Sequence, residues 1–142
     1  MGTKNNMYVT FKIEKEYYGI IIDNVIAIEK MQSRTRIPNS ADYIDGVINL
    51  RGEVIALINL RKRLNMNPRD IDNDTRIIII NYNDIKAGLI VDSSSEVIEI
   101  NDDKIDNPPV SDENEGLEYV KGIGKSDHGI ITLLDLDRLF EQ

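Results

Sequence analysis

The chain has 142 residues, of which 41% are hydrophobic and 30% charged, a balance that is ordinary for one folded soluble domain or two small ones sharing a core. Its net charge of −8 argues against nucleic-acid phosphates or an anionic membrane surface as partners. The absence of cysteine excludes a disulfide framework and thiolate chemistry, and it suits a reducing cytoplasm.

The N-terminus lacks the apolar segment of a signal peptide, and we expect residues 1–7 to form a flexible tail. The longest uncharged apolar runs, Ile77–Ile80 and Ile130–Leu134, are far shorter than the roughly 18 residues that a membrane helix needs. The sequence therefore predicts no direct membrane insertion.

Beyond the tail, short β-branched runs alternate with turns marked by Gly, Asn, Asp and Pro, which is typical of an all-β protein. Outside the central hairpin, strands are predicted at Tyr8–Ile13, Tyr17–Ile22, Ala27–Arg36, Thr75–Tyr82, Lys86–Val91, Glu96–Ile100, Tyr119–Gly124 and Gly129–Leu136. Short helical turns are predicted at Leu60–Leu64 and at the C-terminus, the latter capped by Asp135 or Asp137. Residues 101–118 are predicted to form a long acidic loop.

The central stretch Gly46–Arg61 predicts a hairpin. Two apolar runs, Val47–Leu50 and Val54–Leu60, flank Arg51-Gly52-Glu53, and glycine enters positive φ without steric cost. Arg51 lies at the tip, so its guanidinium is either a solvated turn group or a contact group.

Three segments of the first half recur in the same order in the second half. They are Gly19–Asp23 with Gly88–Asp92, Tyr43–Val47 with Tyr119–Ile123, and Val54–Leu60 with Ile130–Leu136. An ordered self-match indicates a duplicated unit and predicts two small antiparallel barrels. The tip of the second hairpin, Lys125–Gly129, has no arginine, so the duplicated scaffold does not require Arg51.

Little in the sequence points to catalysis. The only histidine, His128, lies in a Ser-Asp-His-Gly turn, and no nucleophile elbow, phosphate loop, dinucleotide fingerprint or calcium loop is present. We therefore predict no cofactor and no metal. The abundant carboxylates leave open a hydrolase on a β scaffold, as the alternative to a binding module.

The motifs resemble the CheW family of bacterial chemotaxis adaptors. The resemblance rests on Arg36-Ile37-Pro38, Tyr43–Gly52, Gly88–Asp92 through Glu96-Val97, and Lys121–Gly124 with Leu133–Leu136. The most discriminating motif is Asn49-Leu50-Arg51-Gly52. Because no phosphotransfer or receiver region is present, the chain resembles the stand-alone adaptor, and a detached regulatory domain of the CheA type is a third interpretation.

The resemblance implies two five-stranded SH3-like β-barrel subdomains packed together, with short helical turns. We expect one CheW-like domain over residues 8–142, divided into subdomain 1 (about 14–80) and subdomain 2 (8–13 plus 81–142). It also implies a cytoplasmic, non-enzymatic adaptor that couples the cytoplasmic tips of chemoreceptors to the histidine kinase CheA in membrane-associated arrays.

The same resemblance implies a receptor-facing groove between the barrels, with receptor-binding residues Val25, Ala27, Gly46 and Arg51. Val25 would bury against a helical hairpin of the receptor, and Arg51 would offer its guanidinium to a carboxylate or to helix C-terminal carbonyls. Ala27 stands where many relatives carry Glu, so the polar side chain of that position is missing here. The kinase-facing residues are not assigned.

Overall fold

The computed structural model describes residues 5–108 and 118–140. These residues form a mostly-β structure, which confirms the predicted fold class. The strands are β1 (Asn5–Ile13), β2 (Glu16–Ile21), β3 (Val25–Lys30), β4 (Ile44–Leu50), β5 (Glu53–Asn59), β6 (Arg76–Tyr82), β7 (Ile85–Val91), β8 (Ser93–Asn101), β9 (Ile105–Asp106), β10 (Val120–Ser126) and β11 (Gly129–Leu134). Since β1 begins at Asn5, the predicted tail is shorter than residues 1–7, and residues 1–4 lie outside the described part.

The helices are single turns that follow or join strands. They are α1 (Leu60–Arg63), α2 (Leu136–Leu139) and 3-10 helices at Ile22–Asn24 and Asp102–Lys104. The side chain of Asn59 caps α1 by accepting a hydrogen bond from the N–H of Lys62, and Asp135 caps α2 in the same way, which confirms the predicted cap at Asp135. Within residues 5–108 and 118–140, no helix is long and apolar enough to cross a membrane.

The chain divides into two compact units, each built on one sheet. Unit 2 is Asn24–Ser94, and unit 1 combines Met1–Asp23 with Ser95–Gln142. The sheet orders are β3-β6-β7-β5-β4 and β8-β1-β2-β11-β10-β9. The first sheet has the predicted five strands, whereas the described part of the second has six because Ile105–Asp106 pairs with β10. The prediction of an uninterrupted acidic loop was therefore wrong at these residues, and residues 109–117 lie outside the described part.

Parallel pairing moves the unit boundaries away from the predicted 14–80 and 8–13 plus 81–142. Strand β2 pairs with β1 and, in parallel, with β11, so it lies in unit 1. Strand β7 lies between β6 and β5, again in parallel with β5, so it belongs to unit 2. Parallel neighbours cannot be joined by a tight turn, so their pairing is not visible from adjacency in the sequence.

The predicted duplication is present in three dimensions. In the two parallel pairs, Leu57 lies opposite Gly88 and Leu133 lies opposite Gly19, which are equivalent positions of the repeat. A Cβ atom at Gly88 would lie 2.8 Å from Leu57 Cδ2, and one at Gly19 would lie 3.1 Å from Leu133 Cδ2. Each hairpin therefore pairs with a glycine-bearing strand from the other half of the chain.

Each unit has its own apolar core. The core of unit 2 includes Ile48, Ile55, Leu57, Ile77, Ile79 and Ile90, and that of unit 1 includes Tyr8, Ile98, Ile100, Ile131 and Leu133. The four residues Ile77–Ile80 of β6 are all buried, so this central strand contributes side chains to both faces of its sheet. Burying such a side chain stabilises the fold by roughly 1.5–3 kcal/mol, so these cores dominate the stability of both units.

Candidate functional site

The candidate site is built around the turn between β4 and β5. The loop consists of Arg51 and Gly52, with φ angles of 55° and 88°, so both residues have the left-handed backbone of tight two-residue hairpins. Asn49 Oδ1 accepts a hydrogen bond of 2.9 Å from the N–H of Gly52 and closes the turn. The predicted hairpin is confirmed, and its short loop places Arg51 at the outermost point.

The side chain of Arg51 is 83% exposed, and its charged partner is Glu29 of β3. Arg51 Nη2 lies 3.7 Å from Glu29 Oε1, whose side chain is only 24% exposed. An exposed ion pair of this length contributes at most about 1 kcal/mol. Most of the guanidinium donors of Arg51 therefore remain accessible to a partner.

Gly46 shapes the hairpin from within and offers no contact surface. Its φ is 141°, and a Cβ atom there would lie 2.5 Å from the carbonyl oxygen of Thr35. Thr35 approaches so closely because it exchanges two backbone hydrogen bonds, of 2.8 and 2.9 Å, with Val47. Gly46 is therefore required for the close approach of the segment after β3 to β4.

Val25, Ala27 and Glu29 lie on β3, where Ala27 and Glu29 share one face and a register shift between Val25 and Ala27 places Val25 opposite Ile80. All three side chains are half-buried, and Ala27 packs against the core of unit 2. The opposite face exposes Ile26 and Ile28, at 51% and 41%. Ala27 is therefore mainly a packing residue. The charged residue on its face of β3 is Glu29.

The structure brings the end strands of the unit 2 sheet together on one side. Strands β3 and β4 lie at opposite ends of the strand order, yet Thr35 pairs with Val47 and Arg51 reaches Glu29. The hairpin tip thus lies beside Glu29 of β3. Sequence reasoning missed Glu29, although its spacing of two from Ala27 on a strand was a signal that the two share a face.

A second polar cluster in unit 2 is centred on a buried arginine and was also missed. Arg61 is 5% exposed, and its Nε and Nη2 donate to the two oxygens of Asp92 at 2.9 and 2.5 Å. Its Nη1 donates to the carbonyl oxygen of Asn67 at 3.0 Å. Arg69 contacts Asp92 at 3.2 Å and Asp72 at 3.0 Å. Arg61, Arg69 and Asp92 line a cavity of about 200 Å³. The contacts attach the connection between α1 and β6 to the end of β7.

Asp72 makes this connection sensitive to acid. A backbone hydrogen bond from Asp74 is the main cause that lowers the pKa of Asp72, and Arg69 and hydrogen bonds from Thr75 lower it further. Because the folded-state pKa is below the unfolded one, the charged Asp72 stabilises the fold above the unfolded pKa of about 3.9, and this contribution disappears as the pH falls through the folded pKa.

We therefore expect the stability difference between the native chain and Asp72→Asn to shrink as the pH is lowered from 6 to 2. Asparagine keeps the oxygen that accepts from Asp74, so the comparison isolates the charge. The measurement is the free energy of unfolding in urea at each pH. A difference that stays constant over this range would contradict the assignment.

Unit 1 has a related contact at the tip of its own hairpin. His128 Nε2 lies 3.2 Å from Glu96 Oε1, with the two side chains 55% and 59% exposed. The repeat that aligns Gly19 with Gly88 also aligns Ala27 with Glu96. Although unit 1 has no arginine at its tip, a histidine there contacts a glutamate on the corresponding strand, so a tip-to-strand contact is common to both units.

The described residues contain no group of three or more His, Asp or Glu side chains arranged to hold a metal ion. Two carboxylates that line the cavity beside Arg61 are paired, since Arg34 forms an ion pair with Asp45 and Arg61 binds both oxygens of Asp92. At the hairpin tip, by contrast, the guanidinium of Arg51 is exposed beside Glu29.

The family model and two of the relatives that this chain matches carry the same family name. The family model described as the CheW-like domain matches residues 7–142. The chain is 37% identical over 134 residues to the chemotaxis protein CheW of Bacillus subtilis, covering 94% of this chain and 86% of that protein. It is 33% identical over 136 residues to the CheW of Treponema pallidum, covering 93% and 80%.

A solved structure is also similar. The crystal structure of the scaffolding protein TtCheW from Thermoanaerobacter tengcongensis superimposes with a TM-score of 0.88 at 39% sequence identity. The match covers 98% of this chain and 94% of that one. The similarity therefore extends over nearly the whole chain in both sequence and fold.

Proposed function

The chain belongs to the CheW-like domain family, and from this premise we propose that it is a non-catalytic adaptor coupling chemoreceptor tips to the histidine kinase CheA. In this role it is cytoplasmic and is recruited to membrane-associated receptor arrays. The observation that carries the proposal is the CheW-like match over residues 7–142 together with the exposed Arg51 at its hairpin tip.

Receptor contact is assigned to the side of unit 2 that carries the tip. Arg51 offers a planar guanidinium that can form two parallel hydrogen bonds to a carboxylate. Val25 provides half-buried apolar surface on the neighbouring strand. Gly46 contributes indirectly, because it sets the backbone geometry of the hairpin that presents Arg51.

The charge distribution supports an acidic partner at unit 2. By sequence, unit 2 has ten Lys and Arg residues against nine Asp and Glu, whereas unit 1 has seven against sixteen. The net charge of −8 therefore comes from unit 1, and unit 2 does not repel an acidic surface. An adaptor that binds both receptor and kinase raises their effective concentration without any catalytic step.

The two rival interpretations are less well supported. A hydrolase needs two carboxylates free to face a substrate, and Asp45 and Asp92 are engaged by arginines. A detached CheA-type regulatory domain would share the fold but would bind adaptors in place of the kinase. A pull-down with receptor-bearing membranes and separately with CheA distinguishes them, since an adaptor binds both.

We expect Arg51→Glu to lower receptor affinity by about 10- to 100-fold, because it removes charge-assisted hydrogen bonds and repels a carboxylate. The thermal midpoint should be nearly unchanged, since the side chain is 83% exposed. The measurement is co-sedimentation with receptor-bearing membranes in the presence of CheA.

The matched control is Lys15→Glu, which makes the same charge change at an exposed turn of unit 1 and should leave binding intact. Absence of a ternary complex with the native chain would refute the adaptor function. A large loss of stability in Arg51→Glu would show instead that Arg51 is a structural residue.

A further inference from the structure

Arg51 and Glu29 differ sharply in their surroundings. The arginine side chain is 83% exposed at the end of a tight turn, whereas the glutamate is 24% exposed on a strand whose backbone pairs with β6. The carboxylate is therefore the fixed member of the pair, and the guanidinium is the member with room to reorient. A partner that covers this region meets a positive and a negative group side by side.

Resting on the proposed function, we infer that Arg51 and Glu29 together form a two-charge recognition site for a partner helix that carries an acid and a base one turn apart. Side chains at positions i and i+3 or i+4 of a helix lie about 5–6 Å apart at Cβ. That spacing is compatible with two groups whose charged atoms are 3.7 Å apart. The partner acid would meet Arg51, and the partner base would meet Glu29.

The desolvation of Glu29 explains why the partner helix needs a base. A helix that docks on Arg51 also removes water from Glu29, which is already three-quarters buried. Leaving a carboxylate buried without full compensation is unfavourable, so a partner that offers only an acid is penalised twice, by repulsion from Glu29 and by its desolvation. Glu29 therefore acts as a specificity residue that selects against purely acidic surfaces.

In the described part of the unbound protein, the other cations near the hairpin do not pair with Glu29. Lys86 Nζ is engaged by both oxygens of Glu53, at 2.8 and 2.9 Å. Lys30 follows Glu29 directly on β3 and so points to the other face of the strand. Within the described residues, the cation paired with Glu29 is Arg51, and a partner acid that draws the guanidinium away leaves Glu29 in need of another cation.

The test compares Glu29→Gln with the native chain for binding to a soluble cytoplasmic fragment of a chemoreceptor. We expect Glu29→Gln to lower affinity by about three- to tenfold at low salt, because the contact with the partner base is lost. The matched control is Glu96→Gln, the same change at the glutamate that His128 contacts in unit 1, which should not alter binding. Unchanged or increased affinity in Glu29→Gln would overturn the inference while leaving the adaptor function standing.

A second measurement needs no partner. The side-chain Nη–H resonance of Arg51, observed by NMR in the free protein, should shift in Glu29→Gln and not in Glu96→Gln, since Nη2 is the atom that approaches Glu29. An unshifted resonance would show that Glu29 does not engage Arg51 and would overturn the two-charge site even if no receptor fragment bound. Loss of receptor binding by the native chain would instead refute the proposed function.

Discussion

Replacing Asp92 with alanine is expected to destabilise the protein by about 3–5 kcal/mol, because it leaves the buried guanidinium of Arg61 without its carboxylate. Arg61 is 5% exposed and donates two hydrogen bonds to Asp92. Its Nη1 also donates to the carbonyl oxygen of Asn67, which helps to hold the guanidinium in this buried position. The measurement is the free energy of unfolding in urea.

The control for Asp92→Ala is Glu53→Ala, which breaks an exposed ion pair with Lys86. The two side chains are 53% and 41% exposed, so this loss should amount to about 0–1 kcal/mol. The contrast tests burial as the cause, since both variants remove one carboxylate from unit 2 and the second cation that contacts Asp92, Arg69, is itself 49% exposed. Equal effects in the two variants would mean that the cluster around Asp92 is not a buried structural element.

Gly46→Ala is expected to destabilise unit 2 by about 2–5 kcal/mol, through backbone strain of about 1–3 kcal/mol and a steric clash of similar size. Its φ of 141° disfavours any side chain, and the new Cβ would lie 2.5 Å from the carbonyl oxygen of Thr35. The backbone must then move, which also displaces the hairpin that carries Arg51. Receptor binding should therefore fall together with stability.

Gly52→Ala separates these two causes. Gly52 also has a positive φ, 88°, but beyond its chain neighbours no heavy atom lies within 4 Å of the Cβ that alanine would add. Only the strain remains, and the expected loss is about 1–2 kcal/mol. Thermal and urea unfolding of both variants provide the comparison, and a Gly52→Ala effect as large as that of Gly46→Ala would show that contact with Thr35 is unimportant.

Local chemistry was sufficient to predict several of the elements. The hairpin at Gly46–Arg61, the cap at Asp135 and the buried run Ile77–Ile80 follow from glycine, capping side chains and β-branched residues, all of which act over a few residues. The ordered repeat and the CheW-like motifs extended the prediction to the family, to which residues 7–142 belong.

The unit boundaries could not be predicted in this way. They depend on the parallel pairs of β2 with β11 and of β5 with β7, which join residues far apart in the chain. The sequence shows that Gly19 and Gly88 are equivalent, yet the leucine that each one accommodates comes from the other half. Loop closure over such distances leaves no local signature.

The candidate site likewise contains one residue that the sequence identified and others that only the tertiary structure revealed. Arg51 was a candidate from the sequence alone, because it is a charged residue at a hairpin tip and has no counterpart in the repeat. The position of Glu29 beside Arg51, the packing of Ala27 and the burial of Arg61 were decided only by tertiary structure. The physical reason is that backbone geometry is set by neighbouring residues, whereas the burial and partner of a charge depend on which distant strands surround it.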